Sequence, residues 1–227
     1  MSIKRVVDVT VSALALALLW PLGLVIAGAV VLGEGGPAFF RQERVGRGGR
    51  TFRMWKFRTM IVGAERVGRQ ITVGLDPRVT RVGAFLRRTK LDELPQLLNV
   101  LRGEMSLVGP RPEVPRYVAF YHADQRALLS LTPGITDPAS LRYRDESTEL
   151  ARASDPERVY VEQIMPEKIR LNLEYAAGAT TMSDARVIWT TIRALLTSGR
   201  SGDALTQPTG VREENGSQPL ARSAVRS

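Results

Sequence analysis

Residues 6–32 read VVDVTVSALALALLWPLGLVIAGAVVL, an almost continuous apolar run broken by Asp8, Thr10 and Ser12. A membrane-spanning helix needs about 20 apolar residues, and this run is long enough. It is too long for the apolar core of a cleaved signal peptide, and no small-residue cleavage site follows it. Two features favour a helix that bends and returns to the same leaflet over one that crosses. Pro21 lies near the middle, where it removes a backbone donor and kinks a helix. Both flanks are basic: Lys4 and Arg5 precede the run, and Arg41, Arg44, Arg47 and Arg50 follow it. Basic flanks prefer the cytoplasmic side, and a span would place one of them outside. An anchor helix with a tolerated proline is the plainer alternative.

The rest of the 227-residue chain has the length and the 44% hydrophobic content of one domain with a real core. Its 32 Lys and Arg against 23 acids leave a net charge of +9, which implies an anionic partner: nucleic acid, anionic lipid or a phosphorylated substrate. The chain has no cysteine, which excludes disulfides, thiolate metal sites and a Cys nucleophile. The one histidine, His122, cannot build a two-His zinc site, and a Ser-His-Asp triad would have to use it. Enzyme chemistry here must rest on carboxylates, Lys and Arg.

Downstream of a turn-rich exit at Gly33 to Pro37, Phe39 to Arg58 reads as a hairpin bent at Gly46-Arg47-Gly48-Gly49. Arg78 to Arg88 is basic and partly helical. Leu91 to Leu101 carries leucines at helical spacing, with Gly103 as the stop. Gly109-Pro110-Arg111-Pro112 and Thr132-Pro133-Gly134 are rigid loops. Further helices are expected at Glu157 to Ile164, Glu167 to Ala177 and Asp184 to Leu196. The last has an apolar face of Ile188, Trp189, Ile192, Leu195 and Leu196 that suits either a membrane surface or the core. The composition from residue 199 onward is that of a disordered tail. These readings make an α+β, mostly helical protein in three parts: membrane helix 1–36, a domain 37–198 and a tail 199–227.

The segment that carries chemistry is Lys90-Leu91-Asp92-Glu93-Leu94-Pro95-Gln96. Proline is tolerated only in the first turn of a helix, so the helix should begin close to Asp92. An aspartate there feels the positive helix end and stays ionised, beside amides that can receive phosphate oxygens. Such a carboxylate can attack phosphorus or ligate a metal. Helix capping is the bland reading of the same residues. Against it stands the company of Arg87, Arg88 and Lys90 before the pair and a proline-flanked Arg111 after it, because a diphosphate substrate needs several cations near a carboxylate.

Three further stretches accompany this one: Lys56-Phe57-Arg58-Thr59-Met60, the run Asn99 to Pro112, and Pro133-Gly134-Ile135-Thr136. Together, from the membrane segment to about Ser198, they resemble the bacterial sugar transferases, the monotopic phosphoglycosyl transferases that begin glycoconjugate and exopolysaccharide assembly. The resemblance implies an N-terminal re-entrant helix broken near Pro21. Trp20 stands where the family often has Ser. It implies a helical cytosolic domain with membrane-surface helices, on the cytoplasmic face of a bacterial inner membrane with both termini cytoplasmic. Asp92 matches the family's nucleophile, and Glu93 the second acid, which would help hold Mg2+ with Asp92 or manage protons. Lys56, Arg87 and Arg111 match its phosphate-binding cations, with Arg58 beside them. The implied partners are a UDP-sugar, a polyprenyl phosphate (undecaprenyl phosphate) and the membrane, with no nucleic acid and a homodimer left open. The implied reaction is a ping-pong transfer of sugar phosphate through Asp92, releasing UMP. One departure bears on specificity: many relatives continue from the Pro-Gly-Ile-Thr motif with Gly-Trp-Ala-Gln-Val, whereas this chain continues Asp137-Pro138-Ala139-Ser140-Leu141.

Two other classes compete. The Arg-rich, aromatic-interleaved hairpin Arg41 to Arg58 would suit a membrane-tethered binder of single-stranded nucleic acid, though that leaves the acid pair unexplained. An inactive assembly scaffold would not need Asp92, Glu93, Lys56 and Arg111 together.

Overall fold

The structure is a computed structural model and describes residues 2–64, 71, 73–74 and 76–198. Its first element, α1, is the helix Ile3–Glu34, opened by Ser2, whose hydroxyl accepts from the Arg5 amide, and closed by Gly35 at φ 65°. The break expected at Pro21 is corrected by the structure: Pro21 lies inside one unbroken helix. Packing supplies the reason. Asp8, Ser12, Ala15, Leu16, Ile26, Ala27 and Val30 all face the rest of the protein. Their three- and four-residue spacing is the period of a single α-helix, kept in register across the proline. Docked along its length, the helix tolerates one missing backbone hydrogen bond. The other face is bare and apolar: Leu14, Leu18, Leu24 and Val25 are exposed, and so is Trp20.

Strands β1 (Phe39–Val45) and β2 (Thr51–Phe57) form the expected antiparallel hairpin, with Phe40 opposite Lys56 and Arg44 opposite Phe52. Gly48 and Gly49 take positive φ in its turn. Helix α2 (Arg81–Thr89) follows, capped by the Thr80 hydroxyl on the Gly83 amide. A Cβ on Gly83 would lie 2.0 Å from the Thr59 carbonyl, so only glycine lets α2 approach the end of β2 this closely. Next come a 3-10 turn at Leu91–Glu93 and helix α3 (Gln96–Arg102). The helix expected to start near Asp92 thus starts at Gln96, and the acids occupy a turn of their own. Pro95 has no N–H to return to the Leu91 carbonyl, which accepts from Leu94 N instead at 3.3 Å.

Strands β3 (Ser106–Val108) and β4 (Gly134–Thr136) make a two-stranded parallel pair that the sequence reading did not anticipate. The chain also forms the short helices α4 (Pro115–Val118), α5 (Pro138–Arg142), α6 (Glu146–Ala151) and α7 (Pro156–Val159). A π-helical turn at Tyr160–Ile164 leads into α8 (Met165–Ala177), and α9 (Thr181–Ser198) ends the described chain. The apolar face read on α9 divides: Ile188 packs on the core beside Val187, while Met182, Trp189, Ile192 and Leu196 are exposed. The mostly helical α+β reading holds; the tail 199–227 lies outside the described residues.

Three apolar clusters set the site in place. Phe57 and Leu86 pack on Ile26 and Val30, joining β2 and α2 to the second half of α1. Met54, Leu97, Val100 and Val108 join the hairpin to α3 and β3. Tyr117, Leu128, Leu150, Tyr160 and Ile169 hold the C-terminal helices together. Asn99 locks α3 to the edge of β2, accepting from Trp55 N at 3.0 Å and donating to Arg53 O at 2.9 Å.

Candidate active site

Lys90 ends α2 in the left-handed conformation, φ 58°, and so turns the chain sharply into the acidic 3-10 turn. Asp92 and Glu93 are consequently both buried at the floor of a cavity of 1460 Å³. Their environments differ. Arg111 grips Glu93 with two nitrogens, Nη2 to Oε1 at 2.6 Å and Nη1 to Oε2 at 3.2 Å. Lys56 donates to the same Oε1 at 3.2 Å and stands 3.9 Å from Asp92 Oδ2. Asp92 Oδ1 is buried without a hydrogen-bond partner.

The electrostatics follow from this geometry. Burial works against the charge of Glu93, but Arg111, Lys56 and Lys90 together outweigh it and hold its carboxyl well below the usual range. Asp92 is shifted the other way. Burial raises its pKa, Lys56 offsets this only in part, and the neighbouring Glu93 charge adds to the rise. Lys56 is lowered to about 8, chiefly by burial, with Glu93 opposing. Adjacent acids of one turn thus take two roles: Glu93 is an ion-paired anchor, and Asp92 is a poorly solvated carboxylate with a bare oxygen.

Arg111 reaches Glu93 because its loop is clamped to the Pro-Gly-Ile-Thr segment. Gly109 N donates to Thr136 O at 3.1 Å and Gly134 N to Pro110 O at 3.0 Å. A Cβ on Gly134 would fall 2.1 Å from Gly109 N, so the two loops touch backbone to backbone.

The other residues singled out in the sequence distribute around this centre. Arg87 lines the cavity and donates to Thr59 Oγ1 at 2.8 Å. Arg58 also lines it, but its Nε is turned to the Pro37 carbonyl at 2.9 Å and it touches neither acid. Trp20 and Pro21 lie on the bare face of α1, away from the cavity. Arg44 was read only as a flanking cation. It is a half-buried wall residue that donates to Pro112 O at 2.9 Å and to Gln42 Oε1 at 2.6 Å, and desolvation lowers its pKa. Strand alternation could have found it, since Phe40, Gln42 and Arg44 share the face of Lys56 across the hairpin. Glu113 and Tyr160, also in the wall, had no such signal.

Whether the acids suit Mg2+ can be judged from their free oxygens. Both oxygens of Glu93 are taken by Arg111 and Lys56, whereas Oδ1 of Asp92 is not engaged. Among the described residues no group of three or more ligating side chains assembles. Of the two acids, only Asp92 keeps a carboxylate oxygen that could hold a magnesium ion.

The whole chain up to the end of α9, residues 1–198, matches the family described as bacterial sugar transferase. The chain belongs to the bacterial sugar transferase family. Similar members include a UDP-glucose:undecaprenyl-phosphate glucose-1-phosphate transferase from Caulobacter vibrioides, 39% identical over 86% of this chain and 70% of its own. A UDP-N-acetylgalactosamine-undecaprenyl-phosphate N-acetylgalactosaminephosphotransferase from Aeromonas hydrophila is 36% identical over 86% of this chain and 44% of its own. A galactosyl transferase from Streptococcus agalactiae is 37% identical over 77% of this chain and 40% of its own. This sugar transferase chain therefore spans less than half the length of some relatives. At nearly equal identity the relatives' names carry three different sugars, so overall similarity does not choose one. The departing segment lies where a choice could be made: Asp137 caps α5 by accepting from Ser140 N at 2.9 Å, and Ser140, Leu141 and Tyr143 line the cavity.

Proposed function

We propose that this chain transfers sugar 1-phosphate from a UDP-sugar to polyprenyl phosphate in two steps through Asp92. The observation that carries the reading is the bare, buried Oδ1 of Asp92, set among Lys56, Arg87 and Arg111 in one cavity. In the first step an Asp92 oxygen attacks the phosphorus that bears the sugar. The bond from that phosphorus to the bridging oxygen breaks, and UMP leaves. In the second, an oxygen of the lipid phosphate attacks the same phosphorus and restores the Asp92 carboxylate, giving polyprenyl-diphospho-sugar. Desolvation leaves Asp92 with a carboxylate that water does not blunt, while Lys56 and Arg111 stabilise the charge that builds on the phosphoryl oxygens. Glu93 orients both cations and stays ionised throughout. Asp92 would hold Mg2+, which would supply neutralisation of diphosphate charge.

The acceptor lives in a membrane, and α1 supports access to it. Both ends of α1 touch the same domain. Lys4 donates to Val108 O at 2.9 Å and Arg5 to Leu101 O at 3.0 Å, while Ile26 and Val30 pack on Phe57 and Leu86. A helix crossing a bilayer would carry one end about 30 Å away from the domain. We therefore place α1 along the cytoplasmic leaflet, with its bare face in lipid and both ends on the side of the domain. The exposed Trp189, Ile192 and Leu196 of α9 rest at the same surface.

UMP release from a panel of UDP-sugars, with Mg2+ and undecaprenyl phosphate in nanodiscs, tests the reading against Asp92→Asn. Release is expected from the native chain and a loss of at least about 10³-fold in the variant. Equal release by both would remove Asp92 from the chemistry, and no release with any sugar would return weight to a scaffold.

A further inference from the structure

In-line displacement at phosphorus sets the entering and leaving oxygens opposite each other, with the sugar oxygen between them. On the phosphosugar-transfer reading, from which this inference starts, the UMP phosphate departs from one place and the lipid phosphate later arrives at that same place. The sugar must occupy another. The cavity has two ends, separated along the hairpin. Arg44 stands at the level of Phe52, and Arg58 lies about 20 Å further along at the rise of a β-strand. Lys56 lies between them.

The ends differ in charge. At the open end of the hairpin the wall holds Arg58, Arg87 and Arg88, and neither Arg58 nor Arg88 has an acidic partner among the described residues. Beside them Ile61, Val62 and Phe85 are exposed, and Gly36, where the chain leaves α1, lies against Val62 and Arg58. Unmatched positive charge next to apolar surface and a membrane helix suits two successive anions, one of them a lipid. At the turn end the wall carries acids as well as bases: Arg44, Arg144 and Lys168 stand with Glu113, Asp145 and Glu146. Arg44 pairs with Glu113 at 3.4 Å, and Lys168 pairs with Glu146 at 2.7 Å. The Tyr160 hydroxyl donates to Glu113 Oε2, and its ring lies 5.7 Å from Lys168 Nζ. Balanced donors and acceptors around an aromatic ring suit a neutral, hydroxyl-rich ligand, which a surplus of charge does not.

We propose that this turn-end arm holds the sugar of the nucleotide donor, and that Glu146 and Lys168 determine which sugar is accepted. Their side chains keep 25% and 17% of their exposure, open to a ligand yet tied to each other. Glu146 begins α6, two residues past the stretch Asp137 to Arg144 in which this chain departs from the Gly-Trp-Ala-Gln-Val pattern. That segment presents Tyr143 to the same cavity. A site built to hydrogen-bond hydroxyls discriminates strongly between epimers, because a misplaced hydroxyl leaves a wall group unpaired.

The test compares native chain, Glu146→Gln, Lys168→Met and the charge exchange Glu146→Lys with Lys168→Glu, which keeps an ion pair between α6 and α8. For each, kcat/KM is measured with UDP-glucose, UDP-galactose and their N-acetylated counterparts, alongside KM for undecaprenyl phosphate and the preference for UDP- over CDP-glucose. The expected result is a shift of about tenfold or more in the ratio between sugars, with the lipid KM and the base preference unchanged. A proportional loss for every sugar, in the charge exchange as well as the single variants, would assign the pair a structural role and overturn the proposal. A shift in base preference with sugar ratios intact would make the arm a nucleobase site and overturn it equally. Absence of UMP release from the native chain with every donor would overturn it together with the phosphosugar reading.

Discussion

At the residue scale the site works by unequal treatment of like groups. Glu93 is compensated by a bidentate guanidinium and stays charged, while Asp92, next in the chain, is buried with one oxygen bare. Its pKa is raised, so in the pH window above the unfolded carboxyl value the folded form binds more protons and stability falls as pH rises. Asp92→Asn removes that cost. That variant should therefore melt no lower than the native chain at pH 7, and a large drop in its thermal midpoint would contradict the electrostatic account. Lys56 gives a second prediction. With a pKa near 8 against an ordinary 10.5, it is charged below pH 8 and neutral above. The unfolded chain binds more protons between those values, so stability rises with pH across that window, while phosphate binding weakens. The kcat/KM profile for the donor should fall above about pH 8, and Lys56→Arg, which stays charged, should carry that limb out of range. An alkaline limb that persists unchanged in Lys56→Arg would assign it to another group.

At the element scale the decisive contact is the docking of an apolar helix by a buried acid. Asp8 interrupts the apolar run because its carboxylate accepts from Ser106 Oγ at 2.8 Å and from Leu107 N at 3.2 Å, fastening α1 to β3. Asp8→Ala leaves both donors buried and unpaired, at about 1–3 kcal/mol. The thermal midpoint in detergent should fall by about 2–4 °C per kcal/mol, while Val11→Ala on the bare face should leave it in place. If both variants melt together with the native chain, α1 is not held through Asp8. The acid pair also rests on its element. Pro95 splits the expected helix, and the resulting 3-10 turn lets Asp92 and Glu93 both reach the cavity.

At the scale of the whole molecule, both ends of α1 contact one domain, and the placement proposed for α1 puts both on one side of a membrane. The absence of cysteine makes this simple to check, since single-cysteine labelling needs no background removal. Ser2→Cys and, in the hairpin turn, Arg50→Cys should both resist an impermeant maleimide in intact cells and react after permeabilisation. Labelling of Ser2→Cys in intact cells would require a spanning helix and a different contact pattern for Lys4 and Arg5.

Much of this was legible in the chain itself. Hydropathy over 6–32, the glycine-rich bend at 46–49 and the motif around Asp92 are local signals: each depends on residues a few positions apart, whose propensities and spacing act within one turn or strand. The cation set Lys56, Arg87 and Arg111 came from resemblance to a family. What only the tertiary structure decided has long-range causes. Helix α1 continues through Pro21 as one element because a stripe from Asp8 to Val30 is docked on residues far along the chain, outweighing the local preference for a break. The parallel pairing of β3 with β4 joins three-residue segments too short to show a period. The different fates of Asp92 and Glu93 arise from a guanidinium 18 positions beyond Glu93, which sequence neighbours cannot reveal. Local steric preference is written into each short stretch; charge, burial and docking are set by whichever distant groups the fold brings within a few ångströms.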